Sequence, residues 1–168
     1  MTRFRLWTLI GDPDTGKSLS VKTLASRLKG GPPGFCEILL RGGGTLNVFA
    51  KVMAWQENNK TPHQSVSEIK RKAAILQKGL PAGQPTSINI LSTLRFDSHN
   101  TCPDGAHYLA RWISEGWTLE SLVLMSPDIH GRHDFYGKFG APTLWHFESA
   151  KLPVGTMAGM IRNHFGWA

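Results

Sequence analysis

A short segment near the amino terminus combines residues whose spacing suits phosphate binding. Two glycines stand five residues apart, and a lysine and a serine follow directly. The residues of this segment are Gly11, Asp12, Pro13, Asp14, Thr15, Gly16, Lys17 and Ser18. Glycine lets backbone N–H groups approach an anion closely, because no side chain intrudes. The lysine can reach the terminal phosphates of a nucleoside triphosphate, and the serine hydroxyl can ligate Mg²⁺.

The residues around this segment predict the strand and the helix that must hold it. Phe4 to Ile10 is a mostly apolar run that reads as a short buried strand. From Lys17 onward the apolar residues follow helical spacing, and Gly30 stands where the helix would end. The apolar face of this helix consists of Val21, Leu24, Ala25 and Leu28. A helix that begins at the loop adds unpaired N–H groups and its positive dipole end to the same anion.

The segment fits the Walker A pattern, of which a chain of this composition holds about 0.02 matches by chance. With its strand and helix, the chain resembles the P-loop NTPases over residues 4–28 and in the order of its elements. Asp12 and Asp14 depart from the glycine-rich interior that is common in such loops. Their carboxylates oppose a triphosphate unless they point outward or bind a cation.

Strand and helix patterns alternate along the rest of the chain. Further strands are predicted at 35–40, 87–96, 119–125 and 143–147, and further helices at 65–79, 103–116 and 153–165. Ser65 and Glu68 have capping-box spacing, which sets the start of the 65–79 helix. Thr45 to Trp55 fits either a hairpin partner or a short helix. We therefore predict one α/β domain over residues 1–168, a three-layer P-loop fold with a mostly parallel five-stranded sheet and helices on both faces.

P-loop enzymes carry a second acidic residue, the Walker B acid, which follows a neighbouring strand and holds magnesium. Asp97 follows the 87–96 strand, and Asp128 follows the 119–125 strand. We prefer Asp97, because the third strand commonly lies beside the P-loop strand in this family. Ser18 and Asp97 are then the predicted magnesium ligands. Neither aspartate is followed by a glutamate, so the base that many ATPases use to activate water is not visible.

Residues 128–140 form a polar, glycine-rich segment that we interpret as a candidate lid. Arg132 and Lys138 would swing onto a transferring phosphate and stabilise charge in the transition state. The alternative is a metal site, although its donors match no standard zinc pattern. Those donors are Asp128, His130, His133 and Asp134.

The charge of the chain is uneven, because residues 1–85 hold 13 basic and 5 acidic side chains, whereas residues 86–168 hold 6 and 7. The basic half favours polyanionic partners, and the run Lys70, Arg71 and Lys72 on the 65–79 helix is a candidate nucleic-acid contact. No apolar run is long enough to span a membrane. Two cysteines without paired spacing fit a reducing compartment, so we expect a cytoplasmic protein. The oligomeric state is left open.

Together these residues predict a small NTPase or phosphotransferase that binds ATP or GTP with Mg²⁺ and hydrolyses or transfers the terminal phosphate. The predicted catalytic residues are Lys17, Asp97 and Arg132. The alternative is a non-enzymatic module in which nucleotide regulates the binding of nucleic acid or an acidic protein by the basic half.

Overall fold

The protein is described by a computed structural model that covers residues 2–25, 35–79, 86–127, 131–147 and 152–168. Within these ranges the strands are β1 (Thr2–Gly11), β2 (Cys36–Leu39), β3 (Thr45–Ala50), β4 (Thr86–Arg95), β5 (Thr118–Met125) and β6 (Thr143–Phe147). The helices are α1 (Lys17–Ala25), α2 (Pro62–Lys78), α3 (Gly105–Ser114), α4 (Arg132–Gly137) and α5 (Val154–Phe165). The predicted end of the first helix at Gly30 lies outside the described residues.

The strands form one mostly parallel sheet in the order β2-β3-β4-β1-β5-β6. β1 lies between β4 and β5 and is parallel to both, while β2 and β3 form the antiparallel pair. The sheet therefore has six strands, and the prediction of five was wrong. The additional strand is β3, which begins just after Gly43 and Gly44, both with φ near +85° (86° and 84°). These glycines allow the tight turn that makes Thr45–Ala50 a hairpin partner of β2.

Two hydrophobic clusters hold the helices against the sheet. Leu6 and Ile10 of β1 belong to the cluster that contains the buried residues of α2 and α3. Trp7 and Leu9 belong to the cluster that contains those of α1 and α5. Because side chains alternate along a strand, the central strand contributes to both clusters and is buried from Leu6 onward. This burial fixes the position of the loop that follows Gly11.

Helix α2 begins three residues before the predicted capping box. Thr61 is its N-cap, Pro62 is its first residue, and Gln64 completes a reciprocal capping box with Thr61. The Ser65 hydroxyl instead donates to the Pro62 carbonyl oxygen at 2.7 Å and accepts from the Trp112 indole at 2.8 Å. The capping-box prediction at Ser65 and Glu68 was therefore wrong, because Ser65 is used to fasten α2 to α3.

Residues 132–137 of the candidate lid are helical rather than looped. Tyr136 is buried, and its ring lies 5.4 Å from that of Phe96 and 5.9 Å from that of Phe139. Aromatic packing of this kind orders a short helix that propensity alone would leave unformed. The candidate lid was predicted without a helix, which is wrong for these six residues, while residues 128–130 lie outside the described ranges.

None of the described helices combines the length and the apolar character needed to cross a bilayer.

Candidate functional site

The loop of residues 11–18 leaves the carboxyl end of the central strand and enters helix α1. Gly11 is needed for packing, because a Cβ added there would lie 2.2 Å from the Met125 carbonyl oxygen of β5. Gly16 has φ +80° and Asp14 has φ +59°, so the chain turns twice through the left-handed region. The Ser20 N–H donates to the Gly16 carbonyl oxygen at 2.8 Å as the helix begins. The predicted strand, loop and helix are thus present in that order.

Lys17 folds back onto its own loop. Its ammonium group donates to the carbonyl oxygen of Asp12 and lies 3.3 Å from the Thr15 hydroxyl, and the residue is only 5% exposed. Burial lowers the pKa of Lys17 from 10.5 to about 8, although the charges of Glu57, Asp12 and Asp14 act in the opposite direction. The Lys17 side chain is therefore buried and not solvated. Its positive charge is instead kept inside the loop.

The Asp12 carboxylate makes a set of contacts that we call the Asp12 cluster (Asp12, Ser126 and Arg132). Ser126 Oγ donates to Oδ2 at 2.6 Å, and Arg132 Nη1 donates to Oδ1 at 2.8 Å. The Arg132 guanidinium also lies 4.1 Å from the centre of the Phe96 ring. Burial acts to raise the pKa of Asp12, but these hydrogen bonds and the charges of Arg132 and Lys17 lower it below its ordinary value. The cluster therefore neutralises one of the two carboxylates that oppose a triphosphate.

A cavity of about 380 Å³ opens beside the loop. It is lined by Asp14, Thr15, Gly16, Lys17, Ser18, Leu19 and Glu57. Six of these residues belong to the loop and the start of α1. Glu57 comes from the turn after β3, and the sequence analysis did not single it out. The cavity thus places a lysine, a serine hydroxyl and two carboxylates around one space.

Glu57 is held at the cavity by a well-fastened turn. Trp55 and Gln56 are fully buried just before it, and the Trp55 indole donates to Ser92 Oγ at 2.7 Å. The Gln56 side chain donates to the Arg95 carbonyl oxygen at 3.1 Å and accepts from the Arg95 N–H at 3.3 Å. Arg95 Nη1 then lies 4.0 Å from Glu57 Oε1. The turn is thereby fixed to the end of β4, which pairs directly with Gly11.

Of the two predicted magnesium ligands, one lines the cavity. Ser18 lines the cavity, whereas the exposed Asp97, two residues beyond β4, is not among the lining residues. Burial together with the charges of Asp104 and Asp97 raises the pKa of Tyr136, which lies on α4. β4 does lie beside β1, as expected, but so does β5, and Asp128 lies outside the described residues.

The remaining candidates are not gathered into one site. Arg132 contacts Asp12 through Nη1 at 2.8 Å and is not among the residues that line the cavity. His133 Nδ1 lies 3.9 Å from Asp134 Oδ1, both on α4, while Asp128 and His130 fall outside the described residues. Within the described part of the chain, no three His, Cys, Asp or Glu side chains come together as metal ligands.

The basic run on α2 does not form one face. Lys70 pairs with Glu115 at 2.6 Å, and the Lys72 ammonium lies 5.9 Å from the centre of the Phe49 ring. Consecutive helical residues point about 100° apart, so the three cations cover more than half of the helix circumference. The run is therefore poorly arranged to follow a phosphate backbone.

Glu57 could not be found from sequence spacing. It lies 40 residues from Lys17 in a polar stretch that reads as a loop. The one local signal was Trp55 followed by Gln56, because a large aromatic residue in a polar stretch is often buried and a buried amide needs hydrogen-bond partners.

Comparison with protein-family models, curated proteins and solved structures finds no match to the chain. The function must therefore be argued from the site itself.

Proposed function

We propose that the protein binds a nucleoside triphosphate, ATP or GTP, with Mg²⁺ and hydrolyses or transfers its terminal phosphate. The proposal includes a three-layer P-loop arrangement, with β1 in the middle layer. The observation that carries it is the cavity beside the 11–18 loop, lined by Lys17 and Ser18 at the carboxyl end of a central parallel strand. Ligands of open α/β sheets bind at this edge.

Lys17 and the start of α1 supply the attraction for phosphate. The buried ammonium group already bridges the Asp12 carbonyl oxygen and the Thr15 hydroxyl, so it is held in place before the ligand arrives. The amino end of α1 adds its partial positive charge at the same point. The negative charge of a bound triphosphate would favour the charged form of Lys17, which burial disfavours. Binding and the buried lysine therefore stabilise each other.

Magnesium fits the oxygen donors of the cavity. The Ser18 hydroxyl and the Asp14 carboxylate line the same space as Lys17, and hard oxygen ligands are those Mg²⁺ prefers. When bound with nucleotide, the ion would neutralise charge on the phosphates. Asp97 can contribute only from outside the cavity lining, so we expect Asp97→Asn to change magnesium-dependent binding less than Ser18→Ala.

The test is titration calorimetry of ATP and GTP, each with and without magnesium. Lys17→Ala should weaken nucleotide binding by about 1.5–3 kcal/mol, because a charge-assisted contact is lost. Lys22→Ala is the matched control, since Lys22 is an exposed lysine on the same helix. Circular dichroism checks that Lys17→Ala still folds, because its lysine is buried. Equal affinities of wild-type protein and a folded Lys17→Ala variant would contradict the proposal.

A further inference from the structure

The cavity holds a carboxylate that phosphate binding alone does not use. We propose that Glu57 is the general base that removes the proton from the hydroxyl group that attacks the terminal phosphate. This inference rests on the nucleotide function proposed above and adds a named group to it. The attacking group is an O–H, supplied by water or by an alcohol.

Position is the first argument for Glu57. Its residue shares the cavity lining with Lys17 and Ser18, which would hold the phosphates. Its charge acts on the pKa of Lys17 more strongly than the charge of either Asp12 or Asp14 does. A base must lie next to the space in which the attacking oxygen approaches the phosphate. Glu57 lines this space from the turn after β3, outside the 11–18 loop.

Rigidity is the second argument. The fully buried Trp55 and Gln56 fasten the turn to Ser92 and to the Arg95 backbone. The Arg95 guanidinium lies 4.0 Å from Glu57 Oε1, an ion-pair distance at which its charge attracts the carboxylate. Support of the turn keeps a catalytic group in place before substrate binds, which lowers the cost of reaching the reactive arrangement.

The other nearby carboxylates are less suited to the role. Asp12 accepts hydrogen bonds from Ser126 and Arg132 on both oxygens. Asp14 is exposed within the loop and is the carboxylate proposed above to hold magnesium, so it is not available to accept the proton. Asp97 is exposed and does not line the cavity.

In the proposed step, Glu57 takes the proton of the attacking O–H, and the electron pair left on that oxygen forms the new bond to the terminal phosphorus. The bond between this phosphorus and the bridging oxygen breaks, and its electron pair stays on the departing nucleoside diphosphate. With water the products are nucleoside diphosphate, inorganic phosphate and a proton that Glu57 later releases. With an alcohol the second product is a phosphate ester.

The experiment compares Glu57→Gln with Glu68→Gln in the full chain. Glu68 is the matched control, because it pairs with Lys51 at 3.4 Å and its side chain is 21% exposed, close to the 27% of Glu57. ATP affinity is measured by calorimetry, and phosphate release is measured with magnesium in water and with added glycerol. We expect Glu57→Gln to bind ATP within threefold of wild type and to release or transfer phosphate about 100-fold more slowly. Glu68→Gln should keep the wild-type rate.

A second variant separates a base from a structural role. In Glu57→Ala, added formate can enter the space left by the side chain and supply a carboxylate, so it should restore part of the rate. It should not help Glu57→Gln, whose amide fills that space. The product identifies the source of the attacking hydroxyl. Inorganic phosphate indicates water, and glycerol phosphate indicates an alcohol.

Three results would overturn the assignment in different ways. A Glu57→Gln rate within threefold of wild type excludes Glu57 as the base. Wild-type protein that binds ATP through Lys17 but yields no phosphate product overturns the assignment and leaves nucleotide binding standing. Wild-type protein that binds neither ATP nor GTP overturns the assignment together with the proposed function.

Discussion

Two charged groups flank the same loop and are built differently. In the Asp12 cluster, charges of opposite sign are in direct contact, with Arg132 Nη1 at 2.8 Å from Asp12 Oδ1. Around the cavity, the Glu57 carboxylate lies 4.0 Å from Arg95 and faces a lysine across open space. In the Asp12 cluster, the carboxylate and the guanidinium neutralise each other. Around the cavity, the charged side chains border open space in which a ligand can interact with them.

The difference shows how a loop with two aspartates can still accept phosphate. Asp12 is turned toward Arg132 and Ser126, so its negative charge is compensated before any ligand approaches. Lys17 stays on the cavity side while donating to the Asp12 backbone. Asp12 therefore belongs to both groups. Its carboxylate lies in the Asp12 cluster, and its carbonyl oxygen accepts from Lys17 beside the cavity. Disturbing Asp12 should therefore change both, whereas disturbing Glu57 should change only the cavity.

The largest expected effect comes from Gly11, where the chain enters both groups. Gly11→Ala would place a Cβ 2.2 Å from the Met125 carbonyl oxygen, in the backbone of a buried strand that cannot easily move. We expect the free energy of unfolding to fall by about 3 kcal/mol. Gly159→Ala is the control, since a Cβ there meets nothing within 4 Å and should slightly stabilise α5. Denaturant unfolding of both variants measures the difference, and an unchanged Gly11→Ala midpoint would contradict it.

The parts of this arrangement that the sequence predicted are local in the chain. The strand before Gly11, the loop and helix α1 follow from hydrophobic period and glycine spacing within 25 residues. The start of α2 was missed although Thr61, Pro62 and Gln64 carry a capping signal of their own, because Ser65 and Glu68 carry a similar one. Glu57 and the pairing of Arg132 with Asp12 depend on contacts between residues 40 and 120 positions apart, which no spacing rule encodes.

The next effect concerns protonation on the cavity side. Lys17 has a pKa of about 8 in the free protein, and a bound triphosphate favours its charged form, so binding above that pH requires uptake of a proton. Nucleotide affinity should therefore fall as pH rises from 7.5 to 9.5, by about tenfold at most per pH unit. Below about pH 7 Lys17 is almost fully charged in both states, and its contribution is nearly constant.

The control for this pH dependence is Lys17→Ala, whose affinity should be weak and nearly flat over the same range. Calorimetry in two buffers of different ionisation enthalpy counts the protons taken up at pH 9. Zero proton uptake by wild-type protein at pH 9 would mean that binding does not change the protonation of the lysine, which would contradict this prediction.

A smaller effect tests whether the Asp12 cluster is closed. A double-mutant cycle of Asp12→Ala and Arg132→Ala should give a coupling energy of about 1 kcal/mol in unfolding, since both side chains are partly exposed. We expect the same cycle to keep its coupling when ATP is bound. Loss of the coupling on ATP binding would show that Arg132 leaves Asp12 for the phosphate, which is the lid role predicted from the sequence.

The smallest expected effect tests the alternative of a basic binding module. If Lys70, Arg71 and Lys72 each neutralised a nucleic-acid phosphate, replacing all three with alanine would flatten the log–log salt dependence of binding by roughly 3. Lys70 is already paired with Glu115, and Lys72 lies over the Phe49 ring. We therefore expect the slope to change by about 1 or less, measured by fluorescence anisotropy with single-stranded and duplex DNA between low and moderate salt. A change near 3 would mean that these side chains leave their present partners for phosphate, and the basic helix rather than the cavity would then be the principal anion-binding surface.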